Sequence, residues 1–231
     1  MTSAAKAELT IPVLAGSTTH TLTSTINGED YAIYLRLPPE ALADPEARFP
    51  LLLTLDGDHM FPQVVSIATQ MGWSGDVPPV IVAGIGYGTL DLEGGNYRYR
   101  DYRPFGDDDT TGIVGGPDFH AFLLTEVLPF LEANAPVDTE NRFLIGHSIA
   151  GLFTLYTYFK SPDAFAGYLA GSPFLKEQIA PLTSTAMMTP LPATRLFIAT
   201  GSEEEADLFL DPLPELKAWL NSYSETEPTI T

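Results

Sequence analysis

The chain has no cysteine. That excludes disulfides and thiolate chemistry, and leaves the cellular compartment undetermined. It is also short of positive charge, with eleven Lys and Arg against thirty Asp and Glu and a formal net charge of −19. Nucleic acid and anionic membrane surfaces call for a basic face, so neither is expected as a partner. No apolar run is long enough to span a bilayer. Met1–Leu14 lacks a basic stretch followed by an apolar core, so no signal peptide is read there and a cytoplasmic location is expected. Histidine is scarce, with only His20, His59, His120 and His147, and none of them follows residue 147. Four scattered histidines without cysteine make no zinc pattern, and no metal or cofactor is expected.

What the chain does contain is 231 residues of ordinary apolar content, enough for one α/β domain over residues 1–231. Alternation over Thr19–Ile26 and Asp30–Leu37, with Asn27-Gly28 between, predicts a hairpin. Continuous apolar runs at Phe49–Leu55 and Pro79–Ile85 predict buried strands. Helical character covers Phe61–Met71, and apolar spacing predicts a helix over Phe119–Ala133 with Asp118 as its cap. Further strands are expected at Phe165–Ala170 and Arg195–Thr200, the latter the last clear one. A helix is expected at Leu213–Leu220, then a loose polar tail over Asn221–Thr231. Strands alternating with helices imply a mostly parallel central sheet covered on both faces. Gly86–Pro117 is long for a connection and is expected to form a wall or lid. Its Gly84-x-Gly86-x-Gly88 start has the wrong spacing for a dinucleotide loop. Asp107-Asp108-Asp109 has the oxygens for calcium but reads as a solvated run.

The organising stretch is Asn141–Gly151, Asn-Arg-Phe-Leu-Ile-Gly-His-Ser-Ile-Ala-Gly. A short apolar strand stops at Gly146, Ser148 stands at the apex, and the apolar Leu152–Phe159 follows with a helical length. This is the nucleophile-elbow pattern Gly-x-Ser-x-Gly with alanine at its last position. A serine so placed needs donors for an oxyanion, a base and a group to orient that base. The elbow offers the amide of Ile149. The loop after Phe49–Leu55 offers that of Asp58. The acid is expected in the turn Gly201–Asp207, with Asp207 and Glu204 as the choices. No histidine follows the serine, so the base is open; His59, on the oxyanion-side loop, could enter the site, whereas His147 should point away.

Together these residues resemble a group of esterases in the α/β-hydrolase superfamily that contains enterobactin/salmochelin esterases, esterase-D-like enzymes and feruloyl esterases. The matching segments are Leu55-Asp56-Gly57-Asp58-His59-Met60-Phe61, Gly84-Ile85-Gly86-Tyr87, Tyr99-Arg100-Asp101-Tyr102, Gly146–Gly151, and Ser161–Phe165 with Ser172-Pro173. The resemblance implies an α/β-hydrolase fold and hydrolysis of a small-molecule ester through a Ser148 acyl-enzyme without a metal. It implies oxyanion amides at Asp58 and Ile149, and substrate-facing arginines at Arg98 and Arg100, for which the other reading is an ion pair with Asp101 that anchors the loop. His59 and His147 are placed with these as substrate-binding residues. The group continues into one more strand, a histidine loop and a final helix, so this chain is expected to be C-terminally shortened. The alternative is a catalytically impaired binding protein on the same fold.

Overall fold

A computed structural model describes residues 14, 16–44, 46–92, 95–106, 114–186, 195–223 and 229–230. Its centre is an eight-stranded sheet in the order β1-β2-β4-β3-β5-β6-β7-β8. The strands are β1 (Ser17–Thr23), β2 (Asp30–Arg36), β3 (Phe49–Thr54), β4 (Ile81–Gly86), β5 (Val137–His147), β6 (Gly167–Gly171), β7 (Arg195–Ala199) and β8 (Thr229–Ile230). β1 pairs with β2 and β2 with β4 antiparallel, and the other five pairings are parallel. The apolar runs predicted as buried strands are the central ones: Leu51, Leu53, Ile81, Ala83, Ile85 and Leu144 have no exposed surface.

Helices cover both faces. α1 (Gly57–Ser74) lays Phe61, Val64 and Val65 on Tyr34 and Val82. The opposite face holds the larger core. There α3 (Gly116–Phe122), α4 (Leu128–Asn134), α5 (Ile149–Lys160) and α7 (Leu213–Tyr223) bring Phe119, Leu131, Phe153 and Leu216 together with Leu144, Tyr168 and Ile198. Two short helices, α2 (Arg98–Asp101) and α6 (Ile179–Ser184), sit in the connections. No helix among the described residues is long and apolar enough to cross a membrane.

Several boundaries differ from the sequence expectations. The helix expected from Phe61 begins four residues earlier, at Gly57, because Asp56 turns the chain in the left-handed region directly after β3. Asp58 and His59 therefore lie in the first helical turn rather than on a loop. The predicted helix Phe119–Ala133 starts at Gly116 behind Gly115, not at an Asp118 cap, and is interrupted by a π turn over Leu123–Val127. Pro129 explains the interruption: it has no N–H for the Thr125 carbonyl, and a wider turn absorbs the missing bond. The tail is not wholly loose, since α7 runs to Tyr223 and Thr229–Ile230 pair with Phe197–Ile198 as a further strand after β7. Two residues carry no readable period, so this strand could not be seen in the sequence. Asp107–Asp109 lies outside the described residues.

His120 lies on the buried side of α3. It is 8% exposed, packs edge-on against Phe153 and Tyr156, and its Nε2 has no hydrogen-bond partner among the described residues. Burial, and then the Lys160 charge, lower its pKa to about 4. A group whose folded pKa lies below its unfolded value of roughly 6.5 stays neutral in the fold while the unfolded chain takes up a proton. Its contribution is therefore complete above about pH 6.5 and is lost as pH falls towards 4. His120→Phe is expected to gain on the order of 2–3 kcal/mol relative to the parent chain between pH 7 and pH 4.5, measured by urea unfolding. Parallel pH profiles for the two chains would contradict it.

Candidate active site

β5 lies between β3 and β6 and delivers the chain to the C-terminal edge of the sheet at His147. Ser148 follows with φ 59° and ψ −121° and stands at the N-cap of α5. Its N–H donates to the Gly171 carbonyl at 2.9 Å, and its carbonyl accepts from the amides of Leu152 and Phe174 at 3.0 and 3.1 Å. The turn needs its small neighbours. A Cβ at Gly146 would overlap the Ala150 carbonyl and the Thr154 hydroxyl, and one at Gly151 would lie 2.9 Å from the Gly171 carbonyl oxygen. Ala150 takes the place of the pattern's last glycine, fully buried, without opening the turn. Such a backbone costs on the order of 1–3 kcal/mol. The half-buried Ser148 hydroxyl has no hydrogen-bond partner among the described residues, and the positive end of the α5 dipole is beside it.

On the neighbouring strand, Asp56, two residues past the end of β3, is a second residue with positive φ and is left-handed, with φ 52° and ψ 41°. Its carbonyl accepts from His59 and Met60 N–H, and its own N–H donates to the Tyr102 hydroxyl oxygen at 3.0 Å. The Asp58 side chain is 5% exposed and engaged, accepting from Tyr34 Oη (2.7 Å) and from the amides of Tyr87 (2.7 Å) and Gly88 (2.9 Å). Its carboxylate thus fastens the start of the loop after β4 to the first turn of α1. The pKa of Tyr34 rises well above its usual value, through burial and then the Asp58 carboxylate. Neither the Asp58 amide nor the Ile149 amide meets a backbone acceptor among the described residues.

The two arginines expected to face substrate both pair with carboxylates of the protein. Arg98 grips Asp56 with Nε and Nη2, each at 2.8 Å. Arg100 pairs with Asp101 at 2.7 Å and with Glu29 at 2.8 Å, and lies over the Tyr97 ring. Asp101 is fully buried. Burial raises its pKa, against the lowering effect of Arg100 and of the Tyr31 and Tyr87 hydroxyls. What the sequence reading missed is the partner of Arg98: Asp56 is 42 residues away, a separation that leaves no local signal.

Beyond β7, Glu204 accepts from Ser172 Oγ at 2.8 Å. Ser172 immediately follows β6, is buried with φ 35°, and donates its N–H to the Ala199 carbonyl. Glu204 is therefore drawn to the strand end beside Ser148. Asp207 is 63% exposed and forms an ion pair with Lys176 at 3.2 Å, turned to solvent. His59 and His147 are both exposed, and neither ring is hydrogen-bonded to Ser148. The His147 ring passes close to Gly171, where an added Cβ would lie 3.3 Å from its Cδ2. His20 bonds the Thr18 hydroxyl and packs edge-on to Phe130.

A serine in this strained turn at the end of a central parallel strand marks a class of hydrolases, and comparison with known proteins gives the family. The model of the "Putative esterase" family matches residues 24–222, and the chain belongs to that family. It is similar to the ferri-bacillibactin esterase BesA of Bacillus subtilis, 29% identical over 178 residues that make up 71% of this chain and 59% of that protein. It is similar to the apo-salmochelin esterase of Escherichia coli, 31% identical over 179 residues, 71% of this chain and 54% of that protein. The chain thus spans little more than half the length of these two relatives. Among solved structures it matches the BES protein from Bacillus cereus, with TM-score 0.76, 21% identity, and coverage of 100% of this chain and 90% of the other. It also matches the siderophore hydrolase EstA from Aspergillus nidulans, with TM-score 0.75, 20% identity, and coverage of 99% and 92%. The fold is the α/β-hydrolase fold.

The positive φ at Ser148 has a thermodynamic consequence. Ser148→Gly removes the side-chain clash that a left-handed residue carries, whereas Ser148→Ala keeps it. Ser148→Gly is expected to melt about 2–4 °C above Ser148→Ala. An alanine variant as stable as the glycine variant would show that the turn stores no strain.

Proposed function

We propose that this chain hydrolyses carboxylic esters through an acyl-enzyme on Ser148, and that its substrates are small siderophore-type esters. The observation that carries the reading is the conformation of Ser148: φ positive, at a central strand end, with its hydroxyl unengaged at the start of α5. Strain of this kind persists where the surroundings impose it, and it presents a hydroxyl to ligand. The substrate class rests on the relatives: two are esterases for ferri-bacillibactin and apo-salmochelin, and a third, 30% identical over 158 residues, is an esterase for the siderophore triacetylfusarinine C from Aspergillus fumigatus.

In this mechanism Ser148 Oγ forms a bond to the ester carbonyl carbon as its proton leaves to a base. The carbonyl oxygen, now an anion, is taken by the amides of Asp58 and Ile149. The C–O bond to the alcohol breaks, the alcohol leaves with a proton, and water hydrolyses the acyl-serine by the same two steps. Glu204 is the acid of the site, held beside it by Ser172; Asp207 is tied to Lys176. No described histidine bonds the Ser148 hydroxyl. A serine without an imidazole loses roughly 10⁴–10⁶ in turnover, while the oxyanion donors and binding retain about 10³–10⁴ over water.

The expected outcome is slow turnover of activated aryl esters and little of alkyl esters, because a good leaving group needs no proton from an imidazolium. With p-nitrophenyl butyrate as substrate, Ser148→Ala should abolish the rate and His59→Ala should leave it within about twofold. Equal losses in both would instead make His59 the base. A rate that survives Ser148→Ala would defeat the mechanism and favour a binding protein on this fold.

A further inference from the structure

We infer that Arg98 is a positioning residue for the oxyanion turn: by clamping the left-handed Asp56 it fixes the direction of the Asp58 amide. This rests on the reading of Ser148 as nucleophile and extends it to a residue that touches no substrate.

The chain passes from β3 into α1 through two residues, Leu55 and Asp56, the second in a conformation that a side chain disfavours by about 1–2 kcal/mol. Every polar group of that residue is engaged. Its N–H meets the Tyr102 hydroxyl, and its carbonyl takes two amides of α1. Its carboxylate, with the residue only 3% exposed, takes the planar fork of Arg98 through two bonds of 2.8 Å. A bidentate guanidinium–carboxylate pair fixes orientation as well as distance, which an ammonium cannot reproduce. Gly57 then lies against the backbone of Gly84 and Ile85, where a Cβ would come within 2.9 Å of three atoms. The Asp58 side chain is anchored from the far side by Tyr34, Tyr87 and Gly88. The amide between these two anchors has little freedom left, and the guanidinium is the charged partner on the Asp56 side.

Arg98 itself is 14% exposed, with its fork committed to Asp56. Desolvation acts to lower its pKa, but the Asp56 carboxylate overcomes this and holds it above the ordinary arginine value. A cation so placed offers little to a ligand, and losing it would leave a buried, uncompensated carboxylate under the turn.

The test is the rate at which diethyl p-nitrophenyl phosphate phosphorylates Ser148. That reaction needs the oxyanion donors and is followed by intact mass, with Ser148→Ala as the blank. Arg98→Lys keeps the charge and loses the fork; Arg98→Met and Asp56→Asn remove the pair. The expected result is a limiting rate lowered about 10–100-fold in Arg98→Lys, less than the roughly 10²–10³ that outright loss of an oxyanion donor costs, with the half-saturating reagent concentration unchanged. Where Arg98→Met does not fold, Arg98→Lys carries the test. Folded Arg98→Lys labelled at the parent rate would overturn the inference alone. So would a raised half-saturation at unchanged limiting rate, which would make Arg98 a substrate contact. A parent chain that is never labelled would overturn the nucleophile reading, and this inference with it.

Discussion

Three neighbouring parallel strands, β3, β5 and β6, stop at the same edge of the sheet, and each is followed within two residues by a non-glycine residue with positive φ: Asp56, Ser148 and Ser172. This shared constraint organises the site. Strands in register at about 4.8 Å spacing bring their ends together. Turning sharply there, rather than through a loose loop, keeps the three residues close. The connections between them are short and direct. Ser148 N–H reaches the Gly171 carbonyl, Ser172 N–H reaches the Ala199 carbonyl, and Leu55 N–H reaches the Ile145 carbonyl.

Left-handed residues persist only where the surroundings over-determine them. Each of the three is held differently. Ser148 is held by sterics and backbone bonds, with Gly146 and Gly151 leaving the room. Ser172 is held by a buried hydroxyl on Glu204. Asp56 is held by charge, through an ion pair nearly removed from water. Behind them stands an aromatic wall of Tyr31, Tyr87, Tyr102, Phe119 and Phe153, whose hydroxyls end on Asp101 and on the Asp56 amide. Burial raises the pKa of Tyr87 and Tyr102 above the ordinary phenol value, so both remain neutral. The wall thereby supplies apolar packing and hydrogen bonds without adding negative charge to an already acidic chain.

Much of this was readable from local pattern. The apolar runs of β3 and β4 and the stop at Gly146 before Ser148 depend on neighbours within a few residues, and these features were legible. Glu204 and Asp207 could be placed in the same turn but not told apart. The distinction lies in Ser172 and Lys176, about thirty residues back in the chain. The Arg98 to Asp56 pair was invisible for the same reason. The pair of Arg100 with its neighbour Asp101 was within reach of the sequence, whereas the partners Asp56 and Glu29 lie too far along the chain to be read from it. The π turn before Pro129 and the two-residue β8 were missed because a proline within an apolar helix and two residues in a polar tail each carry too little periodic signal.

The account's central claim is that Ser148 carries the acyl group. Rapid acid quenching of the protein during turnover of p-nitrophenyl acetate, followed by intact and peptide mass spectrometry, tests it directly. The account predicts a mass increase of one acetyl group, located on the peptide that contains Ser148 and absent from Ser148→Ala. Nitrophenol release at the same rate in both chains, with no adduct on that peptide, would contradict it.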